Sequence, residues 1–240
     1  MAYKAVCFDI DGTLYPVRTM KGRLMRIGFR HPLFNMRYRR TRKQLRRHQG
    51  TYRLDIPFRL REAMVLGRGT GAEPESFDGA VFRREHDRLQ RWVYGPMQRL
   101  YGRTVPFDGV RRTFEKIKDN GLKIGVFTDF PLFSKLEGMG LADLVDFAAS
   151  SDDVGFLKPD AHCFEYLLYN LKLGPHDVLY VGDSYSKDVA GASGAGIDAV
   201  LVNVAPSHMK DAATRYPLAR AVFSTWDGFD RWLTAEMEEY

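Results

Sequence analysis

Asp9 and Asp11 stand two residues apart in Asp9-Ile10-Asp11-Gly12-Thr13-Leu14, directly after a short apolar run. Two carboxylates so close on a turn can divide a reaction between them, in nucleophilic or acid–base roles. Three more polar clusters lie farther along: Thr128-Asp129, Leu157-Lys158-Pro159-Asp160, and Gly182-Asp183-Ser184-Tyr185-Ser186-Lys187-Asp188. Each alone has a plainer reading. Asp11-Gly12-Thr13 could be only a turn and Asp188 a first-turn helix acid favoured by the dipole. Lys158 could be a solvated lysine, and Thr128 could merely finish a strand. If the preceding strands are neighbours, however, all four clusters converge on one crevice.

The elements that would position them follow from hydrophobic pattern. Residues 3–8 form an apolar run bounded by turn residues, which suits a strand buried on both faces of a parallel sheet. Further strands are expected at 122–127, 145–149, 178–181, 199–202 and 221–223. Helical spacing appears at 110–120, with Gly121 as a C-terminal cap, and at 133–139. It also appears at 160–171, with Asp160 as N-cap. Ser186 can cap a short helix running into the glycines at 191, 194 and 196, and 226–237 closes the chain. Strands alternating with helices give a parallel α/β sheet with right-handed crossovers, and ligands then sit beyond the carboxyl ends of the strands.

Residues 15–104 break that rhythm. They show helical patterns at 38–48, 56–66 and 80–101, and no convincing alternating strand. Charge divides at the same place. The stretch 15–104 holds 22 Lys plus Arg against 7 Asp plus Glu, whereas the rest holds 14 against 23. Two physically distinct regions are expected: an acidic, strand-rich one and a basic, helical insert.

Composition excludes other classes. The 45% hydrophobic and 28% charged residues suit a globular protein with a sizeable core. The longest apolar runs are strand-sized, so no transmembrane helix is expected, and the first ten residues do not read as a signal peptide. Two cysteines, Cys7 and Cys163, provide no disulfide framework, which fits a reducing, cytoplasmic setting. Cys7 reads as buried packing. The six histidines show no metal-ligand spacing.

Asp9-x-Asp11-Gly12-Thr13, Thr128 at a strand end, Lys158 before a proline, and Asp183 with Asp188 resemble, in order, the four motifs of the haloacid-dehalogenase-like superfamily. The resemblance covers 1–15 and 105–202. It implies a Rossmann-like parallel-sheet core made of 1–14 and 105–240, with a helical cap at 15–104 that selects the substrate. It implies a phosphatase in which Asp9 is the nucleophile and Asp11 the acid and base. Magnesium would be held by the Asp9 carboxylate, the Asp11 carbonyl and Asp183, with Asp188 as ligand or support. Lys158 would neutralise charge between Asp9 and phosphate, and Thr128 would bond a phosphoryl oxygen. Asp129, which would share that phosphate pocket, stands where many relatives carry Asn; its carboxylate would repel phosphate unless it turns away or pairs with a base.

The expected substrate is a small phosphorylated metabolite, with nucleotides and sugar phosphates as examples. The run 37–47, rich in arginine, reads either as a solvated helix face or as a surface for a nucleotide, a phosphorylated macromolecule or nucleic acid. Tyr38 and Tyr52 are too sparse for base stacking. As an anionic-substrate surface, the insert would favour esters larger than those of simple alcohols. A mutase or phosphotransferase shares every core residue. A 2-haloacid dehalogenase is disfavoured by Asp11, because metal-free dehalogenases of this resemblance lack an acid there. A polyanion-binding protein is the non-enzymatic alternative. No oligomeric state follows from the sequence.

Overall fold

The computed structural model of the chain describes residues 3–47, 57–68, 79–102, 104–132 and 134–238. Six strands form one parallel sheet: β1 Ala5–Phe8, β2 Lys123–Thr128, β3 Phe147–Ser150, β4 Val178–Gly182, β5 Asp198–Leu201 and β6 Ala221–Val222. Their spatial order is β3-β2-β1-β4-β5-β6, the doubly wound order that places a ligand crevice where the direction of winding reverses. That point lies beside β1. In register, Cys7 is flanked by Gly125 of β2 and Tyr180 of β4.

Between β1 and β2 the described chain is helical: α1 Val17–Arg30, α2 Pro32–Arg47, α3 Phe58–Arg68, α4 Gly79–Leu89 and α5 Gly95–Tyr101, with a π-helical turn at Gln90–Tyr94 joining the last two. Then α6 Val110–Asp119 leads into β2. Beyond it come α7 Lys135–Gly138, α8 Ser151–Val154, α9 Ala161–Leu171, α10 Ala190–Gly194, α11 Ala212–Arg215 and α12 Trp226–Glu238.

Strand alternation sorts side chains into two cores. Val6 and Phe8 face α6 and α12, where Phe8 stacks on Phe114 at 4.7 Å between ring centroids. Ala5 and Cys7 face the other side, among Cys163, Phe164 and Leu167 of α9. Both faces of β1 are therefore dry, and every residue of the strand is buried. Removing the Phe114 ring would cost about 3–5 kcal/mol, because the stacked layers cannot collapse around the gap. The first core continues into the insert through Leu14, Tyr15, Phe34, Tyr38, Tyr94 and Met97, so the helices of the insert are packed onto the sheet unit.

Most expected elements are present with ends shifted by one to three residues. The Asp160 cap is seen directly, its carboxylate accepting from His162 N at 3.1 Å. One expectation needs correction, and one helix is additional. The helix assigned to a Ser186 cap begins earlier, as a π-helical turn at Tyr185–Val189 after Ser184, and passes into α10. Helix α1 was not anticipated: Gly22 and Gly28 weaken its propensity, and it is held instead by Met20 and Leu24 against the insert's core. His48, Tyr52, Ile56 and Phe133 lie outside the described residues.

Candidate active site

The carboxyl ends of β1, β2 and β4 bring the polar clusters together. Asp9 N donates to Val181 O at 2.9 Å, continuing the β1–β4 ladder one step into the turn. Gly12 then takes φ +101, a left-handed conformation that favours glycine. A Cβ at Gly12 would lie 2.1 Å from Asp183 Oδ2, so the missing side chain is what lets the two acidic loops meet. The Asn203 amide fastens this turn, donating to Gly12 O at 2.8 Å and Thr13 O at 3.2 Å.

Lys158 lies at the centre of the charge arrangement. Its buried Nζ donates to Asp9 Oδ1 at 2.7 Å, Asp188 Oδ1 at 2.6 Å and the Tyr180 hydroxyl at 3.1 Å. Burial alone would favour the neutral amine, but Asp188 and Asp9 outweigh it and hold the ammonium form firmly. The other Asp9 oxygen accepts from the Thr13 hydroxyl at 3.2 Å. Burial pushes the Asp9 carboxyl up to about 8 against the pull of Lys158, with Asp188, Asp183 and Asp11 adding repulsion. Asp183 reaches solvent at the mouth, yet desolvation by the surrounding protein and the nearby Asp188 push it up to about 6.

Carboxylate oxygens of Asp9, Asp183 and Asp188 lie within 4.8 Å of one another. Lys158 and Lys187 together leave one of the three carboxylates without a matching charge, and all the donors are hard oxygens. The set therefore fits a hard divalent cation. Asp188 is the most committed of the three, since its second oxygen accepts from Ser184 N at 2.9 Å. The Asp11 side chain is not part of this group.

Asp11 instead turns toward β2 and α7. It accepts from Lys135 Nζ at 2.7 and 3.0 Å, from Thr128 Oγ1 at 3.0 Å, and from the Tyr15 hydroxyl. Burial would raise this carboxyl, but the Lys135 charge and these hydrogen bonds prevail and hold it below the ordinary carboxylate value. Lys135 is fully buried, with Nζ 4.3 Å from the Tyr101 ring centre. Sequence reasoning missed it, because one lysine in a short helical segment looks like any solvated lysine. Thr128, expected to bond phosphate, spends its hydroxyl proton on Asp11 here.

The Asp129 carboxylate has found its base. It accepts from Arg46 at 2.5 Å and from Lys158 N at 2.9 Å, and these neighbours keep it low despite burial. Both oxygens are engaged by donors, and the bond from Arg46 ties α2 to this strand-end loop. One turn earlier, Arg42 donates to Asp129 O at 2.8 Å and to Glu62 at 3.2 Å, with its guanidinium 4.2 Å from the Phe130 ring centre. The arginine run thus divides: Arg42 and Arg46 turn inward as a clamp between insert and sheet, while Arg39, Arg40, Lys43 and Arg47 are exposed.

Two adjoining cavities complete the site. A small one, about 40 Å³, is bounded by Asp9, Asp11, Lys158, Asp183, Lys187 and Asp188. It opens beside a cavity of about 520 Å³ under α1, α2 and the π-helical turn, with Asp11, Asp129, Phe130 and Lys187 common to both.

Comparison with known proteins agrees with this geometry. The family model of haloacid dehalogenase-like hydrolases matches residues 3–196. A glyceraldehyde 3-phosphate phosphatase of Methanothermobacter thermautotrophicus is 28% identical over 218 residues, covering 83% of this chain and 85% of the relative. A ribulose-1,5-bisphosphate 5-phosphatase of Halopiger xanaduensis is 28% identical over 222 residues, covering 87% of each. Among solved structures, a HAD phosphatase from Thermococcus onnurineus superposes with TM-score 0.60 at 25% identity, covering 96% of this chain and 97% of that one. A 2-haloacid dehalogenase from Pseudomonas syringae gives TM-score 0.63 at 22% identity, with 97% and 99% covered, and shares the fold. The chain belongs to the haloacid dehalogenase-like hydrolases.

Proposed function

We propose that the chain is a magnesium-dependent phosphomonoester hydrolase that works through an aspartyl-phosphate on Asp9, with the inserted helices at 15–104 acting as a substrate-selecting cap. The observation that carries this reading is the convergence of Asp9, Lys158, Asp183 and Asp188 on one small cavity, with a second acid, Asp11, at its edge. Asp9, Asp183 and Asp188, with the Asp11 carbonyl, would hold magnesium, which when bound supplies positive charge against both the carboxylate and the phosphate.

Asp9 attacks phosphorus, the bond to the ester oxygen breaks, and Asp11 in its protonated form gives a proton to the departing alcohol. Water then attacks the phosphorus of the aspartyl-phosphate and gives a proton to Asp11, so that inorganic phosphate leaves and Asp9 is restored. Lys158 stays charged throughout and offsets the negative charge around Asp9. Two of the relatives described above are named as phosphatases of small sugar phosphates, which supports a small phosphate ester as substrate. Asp11 favours this reading over dehalogenation, because displacing a halide needs no proton delivered to the leaving group.

The test is phosphate release from a panel of esters with and without magnesium. The expected result is metal-dependent turnover in the wild type and none in Asp9→Asn. Equal turnover in both proteins would contradict the assignment.

A further inference from the structure

The larger cavity has a chemical gradient along its length, and from it we infer that the substrate is a phosphate monoester of an apolar alcohol, alkyl or aryl, rather than of a sugar. The inference rests on the phosphatase reading for the position of the phosphoryl group. Helix α2 lines the cavity with a stripe from Phe34 through Tyr38 and Arg42 to Arg46, and with Asn35, Arg39 and Lys43 beside it. Twelve residues of helix span about 18 Å. The Arg46 end lies against the catalytic loops, bonded to Asp129 and to Lys158 O. At the Phe34 end the polar lining is His31, whose ring stacks on Trp92 at 3.9 Å between centroids, and Asn35. Phe34 meets Trp92 edge to face at 5.0 Å, and Leu24, Ile27, Val93 and Met97 complete the wall there. Phosphate therefore has its place at one end and an apolar group at the other.

The polar groups in between argue against a sugar. Arg42 is committed to Glu62 and Asp129 O, and Arg46 to Asp129 and Lys158 O. Tyr15 gives its proton to Asp11. Arg39 and Lys43 are exposed to solvent. The hydroxyl groups of a sugar inside the cavity would therefore exchange water mostly for hydrocarbon and rings, with His31 and Asn35 as the polar lining at the far end, which is unfavourable. An alkyl or aryl chain gains from the same exchange. The volume of about 520 Å³ lies within the usual range for pockets that enclose a whole small ligand.

The experiment measures kcat/KM for ethyl, butyl, hexyl and 2-phenylethyl phosphate and for glycerol 1-phosphate, all esters of primary alcohols. Binding of ethyl- and hexylphosphonate is measured beside them by calorimetry. The expected result is a rise of about three- to fourfold per methylene, on the order of a hundredfold from ethyl to hexyl, with glycerol phosphate near the bottom. Ile27→Glu, and separately the milder Leu24→Ala, should bring the hexyl-to-ethyl ratio down toward one. A flat series, or preference for glycerol phosphate, with phosphate still released, would overturn the apolar-substrate inference and leave the phosphatase reading standing. If no ester were hydrolysed, the phosphatase reading would fall, and hexylphosphonate binding no tighter than ethylphosphonate would overturn the inference on its own.

Discussion

In the proposed mechanism Asp11 has two duties that call for opposite protonation states, and Lys135 bears on both. With Lys135 at 2.7 Å the carboxyl is held below its ordinary value, so it is ionised at neutral pH. That form can take a proton from water in the second step. It cannot donate in the first until the grip of Lys135, Thr128 and Tyr15 loosens. In Lys135→Met the cation is gone and burial dominates, so the Asp11 carboxyl should rise. At a given acidic pH a smaller fraction is then ionised. The acidic limb of aspartyl-phosphate breakdown should therefore move to higher pH, by about 1–3 units. Single-turnover decay of the phosphorylated enzyme across pH reads this directly, and an unmoved limb would show that Lys135 does not control Asp11. The acids themselves were legible in the sequence because their spacing and strand-end context are local. Lys135 was not, since its burial depends on where α7 packs.

At the scale of elements, α2 joins the basic insert to the sheet through side chains that a sequence presents only as charge. The Arg42–Glu62 pair is almost completely buried, and the Tyr94 hydroxyl also donates to Glu62. Arg42→Ala should destabilise the protein by about 3–5 kcal/mol, because it strands the Glu62 charge. Arg42→Met combined with Glu62→Leu should recover much of that loss. Thermal unfolding of the three proteins decides it; a loss below about 1 kcal/mol in Arg42→Ala would mean the pair is solvated. Strands and helices of the sheet unit were legible because their hydrophobic periods are strong, as in Val110, Phe114 and Ile117 of α6. Helix α1 and the inward turn of Arg42 and Arg46 were not. Helix α1 depends on packing against the insert's own core, and the two arginines on partners far away in the chain, Asp129 above all.

For the whole molecule, the basic insert faces an acidic sheet unit across the crevice, and in the proposed reaction an anionic ester passes between them. The excess of 22 basic over 7 acidic residues at 15–104 should attract such esters over a distance that salt shortens, to about 8 Å at physiological ionic strength. Raising salt should lower kcat/KM for dianionic esters while changing kcat little. A kcat/KM independent of salt would show that the charge of the insert has another purpose. The sequence displayed this asymmetry openly, whereas the large cavity between the two regions could be seen only once the helices were packed.

Whether Asp9 carries the phosphoryl group is read by stopping turnover in acid and mapping the modified residue by peptide mass. With magnesium and a hydrolysed ester, one added phosphoryl group is expected on the peptide containing Asp9, sensitive to hydroxylamine and absent in Asp9→Asn. Turnover with no phosphoryl group on Asp9 at any quench time, or the group on another residue, would contradict the assignment of Asp9 as nucleophile.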